Sequence, residues 1–402
     1  MTDLTFNGGN LCLQVGNQQF TMRNIVFNNC VTAISQLWSW GWLYQGLQIN
    51  NCQRGIDISA GGRTAQNIGS VTIIDSTITH TPVGIITAFD SSSVPPTAGS
   101  LILENVALNN VGVAVQQTGG NTLLAGTSGS TIISGWGEGN QYTPNGPKRF
   151  QESFTPVTRP ASLLATGGNI YYVRSKPQYN DLPVSSFQSV RSAGATGNGV
   201  TDDTATLQNA INRAAAAGNV VYFDSGTYKV TSTLMIPAGS KIVGETYPII
   251  MSSGSYFNDM SNPKPIVQVG SAGSTGQVEW SDMIVSTQGT QAGAIGIEWN
   301  LATPTPGAPS GMWDVHVRIG GFAGSNLQTP DCPKNPGSTS VNSACIGAFM
   351  SMHVTASASN LYMENVWLWT ADHDIDNQAN TQLTIYSGRG LYIESTTGNF
   401  WL

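Results

Sequence analysis

Trp38, Trp40 and Trp42 stand at alternate positions in the run AISQLWSWGW, and Trp367 and Trp369 repeat that spacing in ENVWLWTADHDID. Side chains two residues apart on an extended strand leave from one face. Each group is therefore expected to form an aromatic face, which can stack on the C–H faces of sugar rings without needing charge; the alternative is packing in the core. Asp372, Asp374 and Asp376 also follow at period two, with His373 on the other face. Clustered carboxylates raise one another's proton affinity or bind a cation; otherwise they form a solvated turn. Glu394 and Arg389 flank the run GLYI, as an ion pair or the edge of a cleft. Glu394 is the remaining Glu best suited to act as a base or to bind hydroxyls, whereas Glu364 reads as a corner residue.

The composition limits what can position these groups. Of 402 residues only 10% are charged, against a usual share of about 25%. The 46 Gly and 19 Pro exclude coiled coils and most helical folds, while 40% hydrophobic residues and ten Trp exclude disorder. The formal net charge is −7, and the 16 basic residues are unclustered, so neither nucleic acid nor an anionic membrane is an expected partner. No run of 18 apolar residues is long enough to span a membrane, and MTDLTFNGGN does not read as a signal peptide. Five Cys without a CxxC, together with four His, give no zinc pattern; neither a metal nor a cofactor is expected.

The chain repeats itself. RNIVFNNCVTAI (23–34), QGLQINNCQRGI (45–56), DSTITHTPVGI (75–85) and ENVALNNVGVAV (104–115) share one pattern, and DLTFNGG (3–9) is a shorter fifth. Anchored on Phe6, Phe27, Ile49, Ile78 and Leu108, the steps are 21, 22, 29 and 30 residues. A leucine-rich lattice is absent. Asn28-Asn29, Asn50-Asn51 and Asn109-Asn110 recur at one register, where Asn tolerates left-handed backbone and can hydrogen-bond between coils stacked about 4.8 Å apart. The pattern predicts an all-β fold, the right-handed parallel β-helix.

A second β-helix is expected after residue 187. Residues 137–187 break the repeat and hold six of the 19 Pro, which reads as an extended connector between domains at 1–136 and 188–402. Asp202 or Thr201 is the expected N-cap of a short helix over 202–217 that buries Leu207, Ala210, Ile211 and Ala214 and stops at Gly218. Later coils are expected at 280–285, 312–319, 363–376 and 387–395. With Phe6 already in a repeat strand and GNFWL opening another coil, the sequence reads as an interior portion of a longer protein. Cys332 and Cys345 flank a Pro-, Gly- and Ser-rich loop whose closure is worth roughly 3 kcal/mol, so they are expected to form a disulfide and to imply a compartment outside the cytosol. Cys30 and Cys52, at one register of adjacent coils, are expected to stack as thiols.

The segment GATGNGVTDDTATLQNAI (194–211) closely resembles the opening of the pectate-lyase-like β-helix superfamily. Its Asp202-Asp203 pair is expected to start the helix rather than act as a catalytic pair. Two β-helix domains, a Pro-rich connector and the runs AISQLWSWGW, WDVHVRIGGFAGSNLQ, ENVWLWTADHDID and GRGLYIES together resemble glycoside hydrolase family 55. The resemblance implies two side-by-side β-helices and inverting, exo-type hydrolysis of β-1,3-glucan in a cleft between them by a secreted, monomeric protein. It also implies that Gln36 and Ser59 position the attacking water, and that the general acid Glu lies beyond Leu402, so that the 402-residue chain is itself nearly inactive. Glu394 and Asp374 are the remaining catalytic candidates, and the five Trp are the substrate-binding candidates. Two rivals remain: a calcium-using polysaccharide lyase of the same fold, and a non-catalytic glycan-binding or structural β-helix.

Overall fold

The computed structural model describes all residues 1–402, which divide into two compact units, Met1–Ser175 and Lys176–Leu402. In the first unit the residues that turn the chain form columns. Asp3, Asn24, Gly46, Asp75 and Asn105 all take left-handed backbone, with φ between 51° and 66°. Gly8, Asn29, Asn51, His80 and Asn110 form a second column, with φ between 47° and 75°. Asn and Asp adopt this region more readily than other residues with a Cβ, because their short polar side chains bond locally. Here they also bond from coil to coil: Asn24 donates to Asp3 at 3.2 Å and Asn105 to Asp75 at 2.7 Å, and beside the second column Asn50 donates to Asn28 at 3.0 Å. A Cβ at Gly46 would lie 2.8 Å from Asn24 Oδ1, so glycine both turns the chain and fits there.

Between corners the chain is extended and pairs in parallel. The run β1 (Thr2–Gln45) bends through the first corners and pairs with β2 (Gln48–Asn50), β3 (Arg54–Ile58) and β4 (Ile68–Ile74). The ladder continues through β5 (Thr77–Thr79) and β6 (Val83–Thr87) to β7 (Ser100–Gln117). The anchors taken from the sequence are register partners: Phe27 with Ile49, Ile49 with Ile78, and Ile78 with Leu108, all buried. Phe6 stacks on Phe27 with centroids 5.2 Å apart.

The connector expected at 137–187 is corrected. β8 (Thr122–Thr143) runs antiparallel along β7, and β9 (Gly146–Ser153) runs antiparallel along β8. Residues 137–153 therefore belong to paired strands, because the last parallel coil has an open edge whose N–H and C=O groups need partners. Residues 154–175 are held too. Arg159 lies 2.6 Å from Asp75 and 2.7 Å from Glu104, and its guanidinium sits 4.4 Å from the Tyr171 ring. One border between Ser175 and Lys176 replaces the expected borders at 136 and 188. Cys30 is corrected as well: it is bonded to Cys12 of the preceding coil, and Cys52 is the buried free thiol. The coil that brings Cys12 beside Cys30 was outside the stacking considered from sequence.

The second unit opens with α1 (Thr204–Ala217), which buries Leu207, Ala210, Ile211 and Ala214 and ends at left-handed Gly218. The cap residue is Asp203, whose carboxylate does not cap the helix but accepts from the Thr196 and Gly197 N–H groups at 2.8 and 3.0 Å. Asp202 accepts the Thr204 N–H at 3.0 Å. Both acids are thus structural. Parallel strands follow, around a core that includes Phe223, Trp280 and Trp299. Register runs from Val220 to Lys241, Glu279, Gly311 and Tyr362, so loops of different lengths hide the repeat. Cys332 and Cys345 are bonded and pack with Leu327.

Two outcomes follow. Glu138 on β8 is buried beside Gln151 and Thr87, and burial pushes its pKa up to about 7 despite those hydrogen bonds. The folded state holds this proton more tightly than the unfolded chain. The contribution of Glu138 to stability is therefore fully present below pH 4.5 and falls by about 3 kcal/mol as pH rises through 7. Glu138→Gln should raise the urea midpoint at pH 8 relative to the unsubstituted chain and leave it little changed at pH 4; an equal shift at both values would contradict this. Thiol labelling without reductant should modify one cysteine, Cys52, and only after unfolding; labelling of Cys12, Cys30, Cys332 or Cys345 would contradict the pairing.

Candidate functional site

The strands Glu279–Thr287, Ser310–Ile319 and Leu368–Thr370 of the second unit stack in parallel, with Ile284 opposite His316, Ser286 opposite Arg318, and Arg318 opposite Trp369. Rings on and beside these strands build one aromatic strip. Tyr247 stacks on His316 at 5.3 Å, and His316 meets Trp367 edge-on at 6.5 Å. Trp367 stacks on Trp369 at 5.0 Å with 19° between planes, and Trp369 lies 5.1 Å from His373. Trp367 is 51% exposed. Its backbone N–H donates to His316 Nδ1 at 3.1 Å, so that nitrogen carries no proton. Burial, ahead of the nearby charges, holds the His316 pKa below the usual histidine range.

Charges border the strip. Lys176 lies 2.5 Å from Asp282 and 3.2 Å from Asp314. Both acids are corner residues with left-handed backbone, φ 60° and 54°. Burial disfavours the Lys176 charge, but the hydrogen bond to Asp282 and the two carboxylates outweigh it and raise its pKa. Burial, followed by Asp314 and Asp282, pushes the Tyr247 hydroxyl up to about 12. The Arg318 guanidinium lies 4.1 Å from the Phe322 ring centroid, and burial lowers its pKa.

Trp367 and Trp369 thus share a face as expected. The three aspartates do not, because 371–376 is a loop rather than a strand. Asp372 is exposed and bonds His373 at 2.8 Å. Asp374 is buried and accepts from Gln328 Nε2 at 3.3 Å, Thr329 N–H at 3.2 Å and Asp376 N–H at 3.1 Å. Burial raises its pKa, but these donors more than offset it and leave it below the ordinary Asp range. A carboxylate so engaged is a loop anchor, which corrects its catalytic candidacy. Asp376 accepts the Ala323 N–H at 2.6 Å.

Glu394 lies on a different sheet. Its Oε2 is 3.1 Å from His353 Nε2, and His353 Nδ1 is 3.9 Å from Glu298. Tyr392 stacks on His353 at 5.3 Å and Arg389 sits 5.9 Å from the Tyr392 ring, so the expected Glu394–Arg389 pair is replaced by one across coils.

In the first unit Gln36 is fully buried, and Tyr44 donates its hydroxyl to Gln36 Oε1 at 3.1 Å. Ser59 is half-buried and donates to Asp57 Oδ1 at 2.6 Å. Ser35 pairs with Asp57, which puts Gln36 opposite the inward Ile58, so the two expected water-positioning residues point to opposite sides of the coil wall. The indole stripe divides as well. Trp40 is 62% exposed and Trp38 lies over Gly16, where a Cβ would be 2.7 Å from the ring. Trp42 is buried against Phe20 and Tyr44. Ser39 points inward and so does Trp42, so the alternation changes phase across Trp40–Gly41. Sequence reasoning missed Lys176, Tyr247, His316 and Arg318. Asp314, His316 and Arg318 stand at alternate positions of Met312–Ile319, a signal of an outward polar face that was available.

A family model described as rhamnogalacturonase A/epimerase, pectate lyase-like, matches residues 1–57 and 187–306. A glucan 1,3-beta-glucosidase of Cochliobolus carbonum is 48% identical over all of this chain and half of its own length. A probable glucan endo-1,3-beta-glucosidase of Arthroderma benhamiae is 37% identical over all of this chain and 56% of its own. A Penicillium expansum protein named non-secreted LysM effector LysM15 is 38% identical over all of this chain and 28% of its own. The chain spans about half the length of the first two. Over its whole length the chain is thus similar to relatives named for action on 1,3-beta-glucan, on a pectate-lyase-like β-helix fold, in keeping with the resemblance to glycoside hydrolase family 55 carried by its sequence.

Proposed function

We propose that the protein hydrolyses β-1,3-glucan of the laminarin type, releasing sugar from a chain end with inversion, and that the aromatic strip of the second unit receives the sugar rings. The observation that carries this reading is the strip itself: Tyr247, His316, Trp367, Trp369 and His373, with Trp367 half-exposed. Such a surface suits a neutral glycan, and the low charge content agrees with it. The names of the relatives support the linkage. Exposed Trp38 and Trp40 offer a second sugar contact in the first unit, while buried Trp42 does not. Inversion requires an acid and a base about 6.5–9.5 Å apart. Asp374 and Asp376 are engaged by N–H donors, so binding rather than proton transfer is assigned to the residues around the strip. Two disulfides support an oxidising compartment for the protein.

The test is tryptophan fluorescence titration with laminari-oligosaccharides and, for comparison, β-1,4-linked cello-oligosaccharides. Laminari-oligosaccharides should bind more tightly, and Trp367→Ala should weaken that binding about tenfold, roughly 1.4 kcal/mol. Equal affinity in Trp367→Ala would remove the strip from the account. Asp374→Ala should behave differently: it leaves buried donors without an acceptor, costing roughly 2–3 kcal/mol of stability. Its unfolding midpoint should fall while the affinity of the folded fraction holds; an unchanged midpoint with lost affinity would restore Asp374 as a site residue.

A further inference from the structure

We infer that Lys176 is a positioning residue for the aromatic strip: by joining the corner carboxylates Asp282 and Asp314, it keeps the His316 ring an acceptor for the Trp367 backbone and so holds the indole platform in place. The inference rests on the reading of the strip as the sugar platform. It begins from two like charges in adjacent coils. Met283 pairs with Val315, so Asp282 and Asp314 stand one coil apart at the same corner. Stacked carboxylates repel, and the Lys176 ammonium bonds both. Asn365 continues the column by donating to Asp314.

Asp314 is two residues from His316 on the same strand. The groups that set the His316 charge are Asp314 and Arg318 on its own strand and Asp282 on the preceding one. Tyr247 stacks on its ring, and Trp367 meets it from the following coil. The two acids favour the imidazolium, while burial and Arg318 oppose it. Lys176 compensates the acids. Without it their field is uncompensated, His316 takes a proton at higher pH, and a protonated Nδ1 no longer accepts the Trp367 N–H. The loss moves Trp367, and with it the ring stacked on Trp369.

The experiment follows the His316 ring and the Trp indole N–H signals by NMR between pH 5 and 8 in the unsubstituted chain, Lys176→Met, Lys176→Arg and the double variant Lys176→Met/Asp282→Asn. Laminaritetraose affinity is measured in parallel. The His316 midpoint should rise by about one pH unit in Lys176→Met. It should return towards the original value in Lys176→Arg and in the double variant, which restores the charge balance and serves as the readout if Lys176→Met folds poorly. The Trp367 signal should move at the same midpoint, and tetraose affinity below that midpoint should drop about tenfold. An unmoved midpoint in folded Lys176→Met, or in Lys176→Arg and the double variant a midpoint as high as that of Lys176→Met, would overturn the inference. A shifted midpoint in a chain that binds no tetraose would uphold the positioning role and refute the glucan reading alone.

Discussion

Adjacent coils lie about 4.8 Å apart, which brings the side chains of successive corners into direct contact. Any residue chosen to turn the chain must therefore also tolerate its own counterpart one coil away. Asn satisfies both demands, because its amide donates and accepts, and the bond from Asn105 to Asp75 one coil away shows it. Asp turns the chain equally well but repels another acid. Where acids meet at or beside a corner, a cation from elsewhere in the unit joins them: Arg159 takes Asp75 and Glu104, and Lys176 takes Asp282 and Asp314. Each cation is supplied by the Pro-rich segment that the sequence suggests is a loose connector. Removing either would leave partly buried carboxylates without a counter-charge, which costs more than the pair itself contributes.

The same spacing turns distant sequence into local chemistry. Tyr247, His316 and Trp367 come from different turns of the chain, and with Trp369 and His373 from the last of these they form one ladder of rings. On another sheet Glu298, His353 and Glu394 are brought together in the same way. A parallel β-helix makes such rows whenever outward positions keep register. In the first unit the buried Gln36–Tyr44 bond points inward and stabilises the wall rather than exposing a group to solvent.

The repeat of the first unit was legible because its corners use Asn and its steps are short; Phe27, Ile49, Ile78 and Leu108 are partners in the ladder. The second unit was less so. From Ser310 to its partner Leu361 the chain makes a long excursion that includes the disulfide loop, and no fixed period survives. The antiparallel β8–β9 hairpin was hidden by its composition: its glycines allow close approach to β7 but carry no hydrophobic alternation. Among the site residues, the Trp367–Trp369 face followed from period two. The Trp38–Trp42 stripe failed at Gly41, where the backbone changes phase and sends Trp42 inward. Asp374 looked like chemistry because acids at alternate positions imply a strand, whereas here they end one and anchor a loop. Partners across coils, such as His353 for Glu394, leave no mark in local spacing.

The measurement closest to the central claim is a map of the tryptophan indole N–H resonances during addition of laminaritetraose. The Trp367 and Trp369 signals should move together and saturably, while those of the core residues Trp280 and Trp299 stay fixed. Saturable binding that leaves Trp367 and Trp369 unmoved would contradict it.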